Sequence, residues 1–293
     1  MSETRIARRY DRGVVAVTGE EAATFLHGVV TCTVKTLAPG EARLGGLLSP
    51  QGKLLFDFLM TPIADGFLIE IDRGRVADFV KRLTLYRLRA KVAIADRSGD
   101  FATFLAFGGD APSIEGAVAF ADPRAGALGV HLLVPSASAD TLATNASPSD
   151  WHARRIAAGV PESGLDFALG EVFPHDVDMD DLAGVDFKKG CFVGQEVVSR
   201  MKHRGTARRR TIQAHAREAR PAWPDMGTEI TCGDRVLGTL GSAHEGTALA
   251  LVRLDRAGDA LDSGDAIEVG GVTVTLELPA FASFDWPKET GEA

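Results

Sequence analysis

Apolar and polar positions follow two different patterns along the chain, and the change between them lies near residue 205. Before that point, strand-like apolar runs alternate with stretches of helical periodicity. Over residues 74–85, for example, Val76, Phe79 and Leu83 share one helix face. After it, short β-rich runs recur between Gly-Asp, His-Glu-Gly and Gly-Gly turns, which is typical of a small antiparallel barrel. The pattern predicts an α+β body over residues 1–205, with room for a subdivision near 97–150, then a C-terminal antiparallel β-barrel over 206–283 and a tail over 284–293.

Local signals predict individual elements. Thr18 followed by Glu21 predicts a capping box for a helix over residues 20–30, directly after a strand at 13–17. Two apolar runs around Pro50-Gln51-Gly52 predict a hairpin of residues 44–49 and 53–61. Further strands are predicted at residues 67–72, 91–96, 101–107 and 128–134, a linker or loop at 135–150 and a helix at 151–158. The predicted barrel strands are residues 210–214, 228–232, 236–243, 248–254, 266–269 and 272–278.

Composition and charge narrow the class of protein. A chain of 293 residues with 45% hydrophobic and 25% charged residues is long enough to bury two or three modest cores. No apolar stretch approaches eighteen residues, and the four arginines of residues 1–12 are not followed by an apolar segment. We therefore expect the first residues to form the first turn of the chain rather than a signal peptide. A net charge of −8 argues against nucleic acid or an anionic membrane as a partner.

Three cysteines, Cys32, Cys191 and Cys232, are scattered and form no Cys-x-x-Cys pair. This spacing argues against a structural zinc site or a four-cysteine iron–sulfur cluster within the chain. A sparse, odd number of cysteines also fits a reducing compartment, and the cytoplasm is the simplest expectation. We predict no resident metal: His175 and the nearby aspartates match no familiar ligand spacing, and we expect them to form a solvated loop.

Chemistry concentrates in the loop around Cys191. Two glycines, Gly190 and Gly194, bracket the cysteine, Lys189 precedes them, and Gln195-Glu196 follows. Nearby ammonium groups or a helix N-terminus favour the reactive thiolate, and glycines let a ligand approach the backbone closely. An amide next to a carboxylate offers the donor and acceptor that a flat heterocycle requires. The alternative is that Cys191 is a small buried hydrophobic residue and the glycines only form a turn.

The segment Lys189-Gly190-Cys191-Phe192-Val193-Gly194-Gln195-Glu196 resembles the signature of the YgfZ family, folate-binding relatives of the glycine-cleavage T-protein (aminomethyltransferase). Other landmarks follow in the family's order: Phe25-Leu26-His27-Gly28, Pro50-Gln51-Gly52-Lys53, Tyr86-Arg87-Leu88-Arg89 and residues 155–161. The resemblance implies the T-protein-like multidomain α+β fold, a ring around a central folate pocket. It also implies tetrahydrofolate, or a one-carbon derivative, as ligand and a role in iron–sulfur protein assembly or repair. It assigns Lys189, Gly190, Gly194, Gln195, Glu196, Arg200 and Arg89 to ligand binding.

Two departures from the T-protein bear on catalysis. Asp57 falls where the T-protein has its catalytic aspartate, although a solvent-facing or satisfied strand carboxylate explains it equally well. Thr33 and Ala157 stand where the T-protein has an aspartate and a folate-binding glutamate. Each ligand donor left unpaired by such a loss costs about 1–3 kcal/mol, which makes glycine cleavage an improbable activity.

A basic run follows the loop and includes Arg200, Lys202 and residues 208–210. It is either a solvated strand entry or a site that captures the glutamate tail of folate or docks an acidic partner. The leading hypothesis from the sequence is a tetrahydrofolate-binding accessory protein for iron–sulfur proteins, with Cys191 as the working thiol and assembly or client proteins as partners. The alternatives are a tetrahydrofolate-dependent aminomethyl or methyl transferase that uses Asp57, and a non-catalytic interaction scaffold.

Overall fold

The computed structural model describes residues 3–218 and 222–287. The chain forms two compact units. The first contains Met1–Trp151 with Leu182–Val197, and the second contains His152–Asp181 with Val198–Ala293. Both are mixtures of short helices and antiparallel strands, and each has its own buried apolar core.

The strands of the first unit are β1 (Arg5–Arg9), β2 (Arg12–Thr18), β3 (Arg43–Leu48), β4 (Leu54–Ile63), β5 (Gly66–Asp72), β6 (Ala93–Asp96), β7 (Phe101–Phe107), β8 (Val118–Ala121) and β9 (Val130–Pro135). The strands of the second unit are β10 (Arg209–Ala216), β11 (Glu229–Cys232), β12 (Arg235–His244), β13 (Thr247–Arg253), β14 (Ile267–Val269) and β15 (Val272–Glu277). The α-helices are α1 (Ala22–Val29), α2 (Val76–Arg87), α3 (Pro148–Ala157), α4 (Gln195–Arg204) and α5 (Leu254–Ser263). Short 3-10 helices cover Arg73–Arg75, Gly126–Leu128, Ser136–Thr141 and Pro174–Val177.

The first unit is built on two antiparallel sheets, with strand orders β3-β4-β5-β2-β6 and β1-β7-β9-β8. Helices α1 and α2 contribute to the apolar core of the larger sheet, where Phe79 of α2 lies 5.2 Å from the ring of Phe56 and 5.4 Å from that of Phe58. Because side chains alternate along a strand, Asp57 lies between these two phenylalanines and faces away from that core. The hairpin predicted around residues 50–52 is confirmed as β3 and β4.

A buried polar network joins the two sheets of the first unit. His131 of β9 contacts Glu70 of β5 at 2.8 Å and Asp122 at 2.9 Å, and all three side chains are almost fully buried. Burial by itself would lower the pKa of His131, but the two carboxylates outweigh it and raise the pKa. Burial would likewise raise the pKa of Glu70, yet His131 and then Arg12 lower it to about 2. These shifts favour a protonated His131 between the ionised carboxylates of Glu70 and Asp122, which is a buried ion-pair network.

The second unit contains the predicted barrel. Six strands close in the order β10-β13-β12-β11-β14-β15, with β10 pairing with both β13 and β15. Apolar side chains fill its interior, among them Ile212, Leu240 and Val274. Helix α5, which the apolar pattern did not predict, follows β13 and buries Leu254, Ala257 and Ala260. All six runs predicted as barrel strands are strands in the structure.

Three local predictions are wrong. Thr18 does not cap a helix: it ends β2 and pairs with Gly66 and Ala93, while α1 begins at Ala22 without any side-chain cap. Residues 5–9 form β1, which pairs with β7, rather than the first turn of the chain. The segment 135–150 is not a plain linker, since it contains a 3-10 helix and the start of α3.

The acidic segment 175–181 is not a solvated loop. His175, Asp176 and Asp178 are buried, and Asp180 accepts hydrogen bonds from Arg210 at 2.6 and 3.1 Å. Much of the basic run therefore pairs with the acidic run within the second unit: Arg209 contacts Asp176 at 2.7 Å, and Lys202 contacts Asp180 at 3.0 Å. Within the described ranges, no three His, Cys, Asp or Glu side chains are grouped so as to hold a metal ion. No helix there is long and apolar enough to cross a membrane.

Candidate functional site

Two segments of the first unit contact the cysteine loop, residues 184–196. One is the end of α1 with the residues that follow it, and the other is the hairpin of β3 and β4. The segments are far apart in sequence, and their contacts are mostly between one polar side chain and backbone groups. The loop therefore has a definite position although it contains little regular secondary structure.

Thr31 anchors the start of the loop. Its buried hydroxyl donates to the carbonyl oxygen of Gly184 at 2.6 Å and accepts from the amide of Gly46 at 2.8 Å. The backbone of Thr31 also accepts from the amide of Asp186 at 3.0 Å and donates to the carbonyl of Gly46 at 2.9 Å. One buried residue thus connects the loop to strand β3 through four hydrogen bonds.

Lys189 anchors the middle of the loop. Its ammonium donates to three backbone carbonyls at the end of α1 and just beyond: His27 at 2.5 Å, Val30 at 2.6 Å and Cys32 at 2.8 Å. The last carbonyls of a helix lack intrahelical partners and carry the negative end of the helix dipole, so a cation is favourable there. Burial lowers the pKa of Lys189 to about 8. The ammonium is therefore used to hold the loop on α1.

His27 completes this connection in the opposite direction. Its Nδ1 lies 3.3 Å from the amide nitrogen of Val34, and its Nε2 lies 3.1 Å from the carbonyl oxygen of Lys189. Because an amide can only donate, Nδ1 must be the acceptor and Nε2 must carry the hydrogen. Burial lowers the pKa of His27, which favours this neutral form. His27 and Lys189 therefore bind each other's backbone.

The two glycines of the motif have different environments. Gly194 has φ +78°, and an added Cβ would lie 2.5 Å from the carbonyl oxygen of Ser49 and 3.2 Å from the Cα of Gly52. This position requires glycine, both for its φ and for the close approach to the β3–β4 turn. Gly190 has φ +101°, but an added Cβ would meet no atom within 4 Å. The backbone at Gly190 is consequently open to a ligand.

Cys191 is exposed between these anchored neighbours. The next residue, Phe192, is buried, and its ring lies 5.3 Å from the Lys189 ammonium. Cys32 is the contrasting case: it is fully buried, and burial raises its pKa to about 11. An accessible sulfur on a fixed loop can bind a soft metal, form a disulfide or attack an electrophile, whereas the buried thiol of Cys32 is inert.

The other residues predicted for the site are spread over several elements. Asp57 on β4 pairs with Gly46, the residue that Thr31 holds from the other side. Gln195 and Glu196 form the first turn of α4, and Arg200 lies one turn further along the same helix, in the second unit. Arg89 is exposed beyond the end of α2. The site functions predicted for these residues stay predictions.

Sequence reasoning did not assign a role to His27 or Thr31. His27 is part of the Phe25-Leu26-His27-Gly28 landmark, and Thr31 lies two residues before the altered position Thr33, but neither pattern predicts the contacts that these side chains make. Both side chains bind backbone atoms of a segment more than 150 positions away, and such a contact leaves no local signal in the sequence.

Comparisons with known proteins agree with this architecture. A family model described as the C-terminal β-barrel domain of CAF17 matches residues 208–284. Among solved structures, the glycine cleavage system aminomethyltransferase T from Bartonella henselae superposes with a TM-score of 0.77, covering 98% of this chain and 88% of that chain at 15% identity. The predicted T-protein-like α+β fold with a C-terminal antiparallel barrel is confirmed.

Sequence relatives point to iron–sulfur biology. The iron–sulfur cluster assembly factor IBA57 homolog of Neurospora crassa is 30% identical over 227 residues, which are 69% of this chain and 51% of that protein. The IBA57 homolog of Mycosarcoma maydis is 32% identical over 230 residues, which are 72% of this chain and 57% of that protein. The chain thus spans slightly more than half the length of these two relatives.

The expectation of a cytoplasmic protein is contradicted, because these relatives are named as mitochondrial. The reasoning failed because sparse cysteines indicate a reducing environment but do not distinguish one reducing compartment from another. The resemblance read from the cysteine motif is confirmed in its broader form, whereas membership of the YgfZ family itself stays a prediction. Over more than two thirds of its length the chain is similar to iron–sulfur cluster assembly factors, and its fold is that of the glycine-cleavage aminomethyltransferase.

Proposed function

We propose that this protein assists the assembly or repair of iron–sulfur proteins, with Cys191 as its working thiol and tetrahydrofolate, or a one-carbon derivative, as its ligand. The observation that carries the proposal is the loop around Cys191. Three side chains, Thr31, His27 and Lys189, hold it on α1 and β3 and leave the sulfur exposed. The names of the sequence relatives support the iron–sulfur part of the proposal.

The anchored loop suits a transient encounter with an iron–sulfur centre. Thiolate sulfur is the usual protein ligand for such clusters, and a single exposed cysteine can supply one ligand while a partner supplies the others. Lys189 and His27 hold the backbone on both sides of the reactive position, so little loop entropy remains to be lost on contact. The chain's own contribution is therefore to present one sulfur in a fixed place, and the cluster is cargo.

The residues available near the loop fit a folate in their donor chemistry. Asp57 and Glu196 supply carboxylates that can accept hydrogen bonds from the pterin ring, and Gln195 supplies an amide. The open backbone at Gly190 permits the approach of a flat ring. Arg89, in the same unit, is the proposed partner for the carboxylates of the folate tail. When bound, tetrahydrofolate supplies nitrogen atoms that carry a one-carbon unit.

One experiment tests the thiol. Extracts of cells that lack their own copy of the protein are complemented with the wild type, Cys191→Ser or Cys232→Ser, and the activity of a [4Fe–4S] dehydratase is measured. Cys232 is partly exposed on the barrel and serves as the matched control. We expect Cys191→Ser to lose the complementing activity while Cys232→Ser keeps it. Full activity of Cys191→Ser would remove the thiol from the proposal.

A second experiment tests the ligand separately. The purified protein is titrated with tetrahydrofolate by calorimetry, beside Asp57→Asn and Asp65→Asn, where Asp65 is an exposed turn aspartate on the same hairpin as β4. Micromolar binding corresponds to about −8 kcal/mol. We expect Asp57→Asn, but not Asp65→Asn, to weaken it. Absence of binding in the wild type would favour the scaffold alternative, in which the fold is kept without the ligand.

A transferase is the second candidate, and the placement of Asp57 favours it. The carboxylate lies on the side of β4 away from the Phe56 and Phe58 core and opposite a glycine, so the partner strand places no side chain beside it. A carboxylate in a strand that borders the cysteine loop can take up or release a proton during one-carbon transfer. Turnover of a labelled one-carbon folate that disappears in Asp57→Asn would promote this candidate, and the absence of turnover in the wild type would eliminate it.

A further inference from the structure

A second site of the first unit has a different chemistry from the cysteine loop. A cavity of about 230 Å³ lies where the chain passes from β1 in one sheet to β2 in the other. Four arginines line it, Arg8, Arg9, Arg12 and Arg73, and no aspartate or glutamate is among its lining residues. In a chain with a net charge of −8, such a concentration of guanidinium groups requires an explanation.

Internal ion pairs explain only part of it. Arg9 donates to Asp11 at 2.8 and 2.6 Å, and Arg12 donates to Glu70 at 3.1 Å, so these two charges are compensated within the unit. The pKa of Asp11 is lowered, since Arg9 and Arg12 outweigh the effect of burial. These pairs hold the cavity wall and leave two other arginines to be accounted for.

Arg8 and Arg73 are less fully compensated than Arg9 and Arg12. The Arg8 guanidinium lies over two aromatic rings, 4.8 Å from the centre of Tyr10 and 5.4 Å from that of Phe104. Arg8 contacts Asp140 at 3.2 Å, but that carboxylate is 94% exposed, and such surface pairs contribute little. Among the described residues, the side chain of Arg73 makes one polar contact, a bond of 3.5 Å from its guanidinium to the carbonyl oxygen of Arg12. The cavity therefore carries net positive charge on its lining.

Thr103 provides an independent sign of a missing partner. It lines the same cavity, it is 3% exposed, and its hydroxyl oxygen has no hydrogen-bond partner in the part of the chain that the structure describes. Its Cα is paired with that of Arg9 across β1 and β7. A buried hydroxyl without a partner costs about 1–3 kcal/mol, so such groups usually mark a bound ligand or water.

Further donors come from the loop between β6 and β7. The hydroxyl oxygen of Ser98 accepts from the amide of Val14 at 3.1 Å, which leaves its own hydrogen available to donate. The neighbouring Gly99 also lines the cavity, and an added Cβ there would meet no atom within 4 Å. Guanidinium and hydroxyl donors that line the cavity thus come from the 3-10 helix Arg73–Arg75, from β7 and from the loop between β6 and β7.

We infer that this cavity binds a tetrahedral oxyanion, either inorganic phosphate or the phosphate group of a small phosphomonoester. Several donors that approach from different elements suit a group with three or four acceptor oxygens better than a planar carboxylate, which one arginine fork satisfies. The phosphate would accept from Arg73 and from the otherwise unpartnered Thr103 hydroxyl, with the Ser98 hydroxyl as a further donor. This site is separate from the cysteine loop and does not depend on the function proposed for it.

The test is calorimetric titration of the full-length protein with inorganic phosphate, and in parallel with glycerol 3-phosphate, in a buffer free of phosphate and sulfate. Three variants are compared: Arg73→Gln, Thr103→Val and the control Arg75→Gln. Arg75 is an exposed arginine of the same 3-10 helix as Arg73 but does not line the cavity. Removal of its charge reproduces the change in net charge without altering the lining.

We expect binding with a dissociation constant on the order of 0.1–1 mM, weakened about tenfold (~1.4 kcal/mol) by Arg73→Gln and less than about twofold by Arg75→Gln. Thr103→Val should weaken binding several-fold while leaving the thermal stability of the unliganded protein equal or higher, because it removes an unsatisfied hydroxyl. Tighter binding of glycerol 3-phosphate would identify a phosphomonoester site, and equal binding a phosphate site. No binding of either probe, or equal losses in Arg73→Gln and Arg75→Gln, would overturn the inference.

Discussion

Replacement of Lys189 by methionine distinguishes two possible roles of this lysine, activation of the Cys191 thiol and anchoring of the loop. The sequence alone indicates the first role, because a lysine two residues before a cysteine can favour the thiolate. In the structure its ammonium donates to the carbonyls of His27, Val30 and Cys32. Lys189→Met keeps the approximate length of the side chain and removes these three bonds, together with the contact between the ammonium and the Phe192 ring. The variant should therefore act mainly on stability and loop order.

The expected cost follows from the contacts. Hydrogen bonds to charged groups contribute about 1.5–3 kcal/mol each, so three of them set an upper range of ~5–9 kcal/mol. Two effects reduce this range: the side chain is only half-buried, so water can replace part of the interaction, and burial of the ammonium opposes its ionised state, as the pKa of about 8 shows. We expect a net loss of about 2–3 kcal/mol in the free energy of unfolding.

The assay is urea unfolding of Lys189→Met beside Lys188→Met, with hydrogen exchange of the loop amides as a local readout. Lys188 is exposed, and its backbone amide, which donates to Asp186 at 2.8 Å, is unaffected by the substitution. The control should lose less than about 0.5 kcal/mol. In Lys189→Met the amide of Asp186, which is bonded to Thr31, should exchange faster. Equal stability of the two variants would refute the anchoring role of Lys189.

Four further predictions concern the first unit. Glu70 and Asp122 raise the pKa of His131 above its ordinary value of 6.5. The stabilising contribution of the protonated His131 is therefore fully present below pH ~6.5 and is lost as the pH rises through the raised pKa. The urea midpoint of the wild type should fall over that range, and the midpoint of His131→Gln should be lower and should depend less on pH. Glu70, whose pKa is lowered from 4.5 to about 2, contributes stability that is present above pH 4.5 and is lost as the pH falls toward 2. In an acid titration, Glu70→Gln should therefore lose less stability between pH 4.5 and 2 than the wild type does. Leu88 is 86% exposed with φ +48°, so Leu88→Gly should raise the midpoint by relief of about 1–2 kcal/mol of strain, and a lower midpoint would contradict this. Gly194→Ala should lose at least about 2 kcal/mol and free the loop from the β3–β4 turn, as measured by exchange of the loop amides, because its Cβ would lie 2.5 Å from a carbonyl oxygen.

Elements with strong local signals were predictable from the sequence. The hairpin of β3 and β4 follows from two apolar runs around Pro50-Gln51-Gly52, and the barrel strands follow from short runs separated by glycine turns. Thr18 shows the limit of such signals. Its hydroxyl and Glu21 match a capping box, but pairing of β2 with both β5 and β6 extends the strand through Thr18. Sheet pairing, which a local window does not contain, decided its conformation.

The acidic segment shows the same limit for charge. Asp176 and Asp180 are surface-like residues by composition, and they are buried because Arg209 and Arg210, about thirty residues later, neutralise them. The sequence displayed both the acidic and the basic run without showing that they meet. A run of like charges is a solvated face only when no complementary run packs on it, and that condition is a property of the tertiary fold.

The sequence predicts the reactive residue of the cysteine site but not the side chains that hold its loop in place. The motif around Cys191 identifies a reactive position, whereas Thr31 and His27 act on backbone atoms more than 150 residues away and leave no pattern between the two segments. Lys189 is engaged by the carbonyls at the end of α1, whereas its neighbour Lys188 is exposed. Removal of Lys188 should therefore leave the free energy of unfolding nearly unchanged, while removal of Lys189 should lower it. Two adjacent lysines of the same motif thus differ in role, and only the tertiary contacts show which of them holds the loop that carries the sulfur.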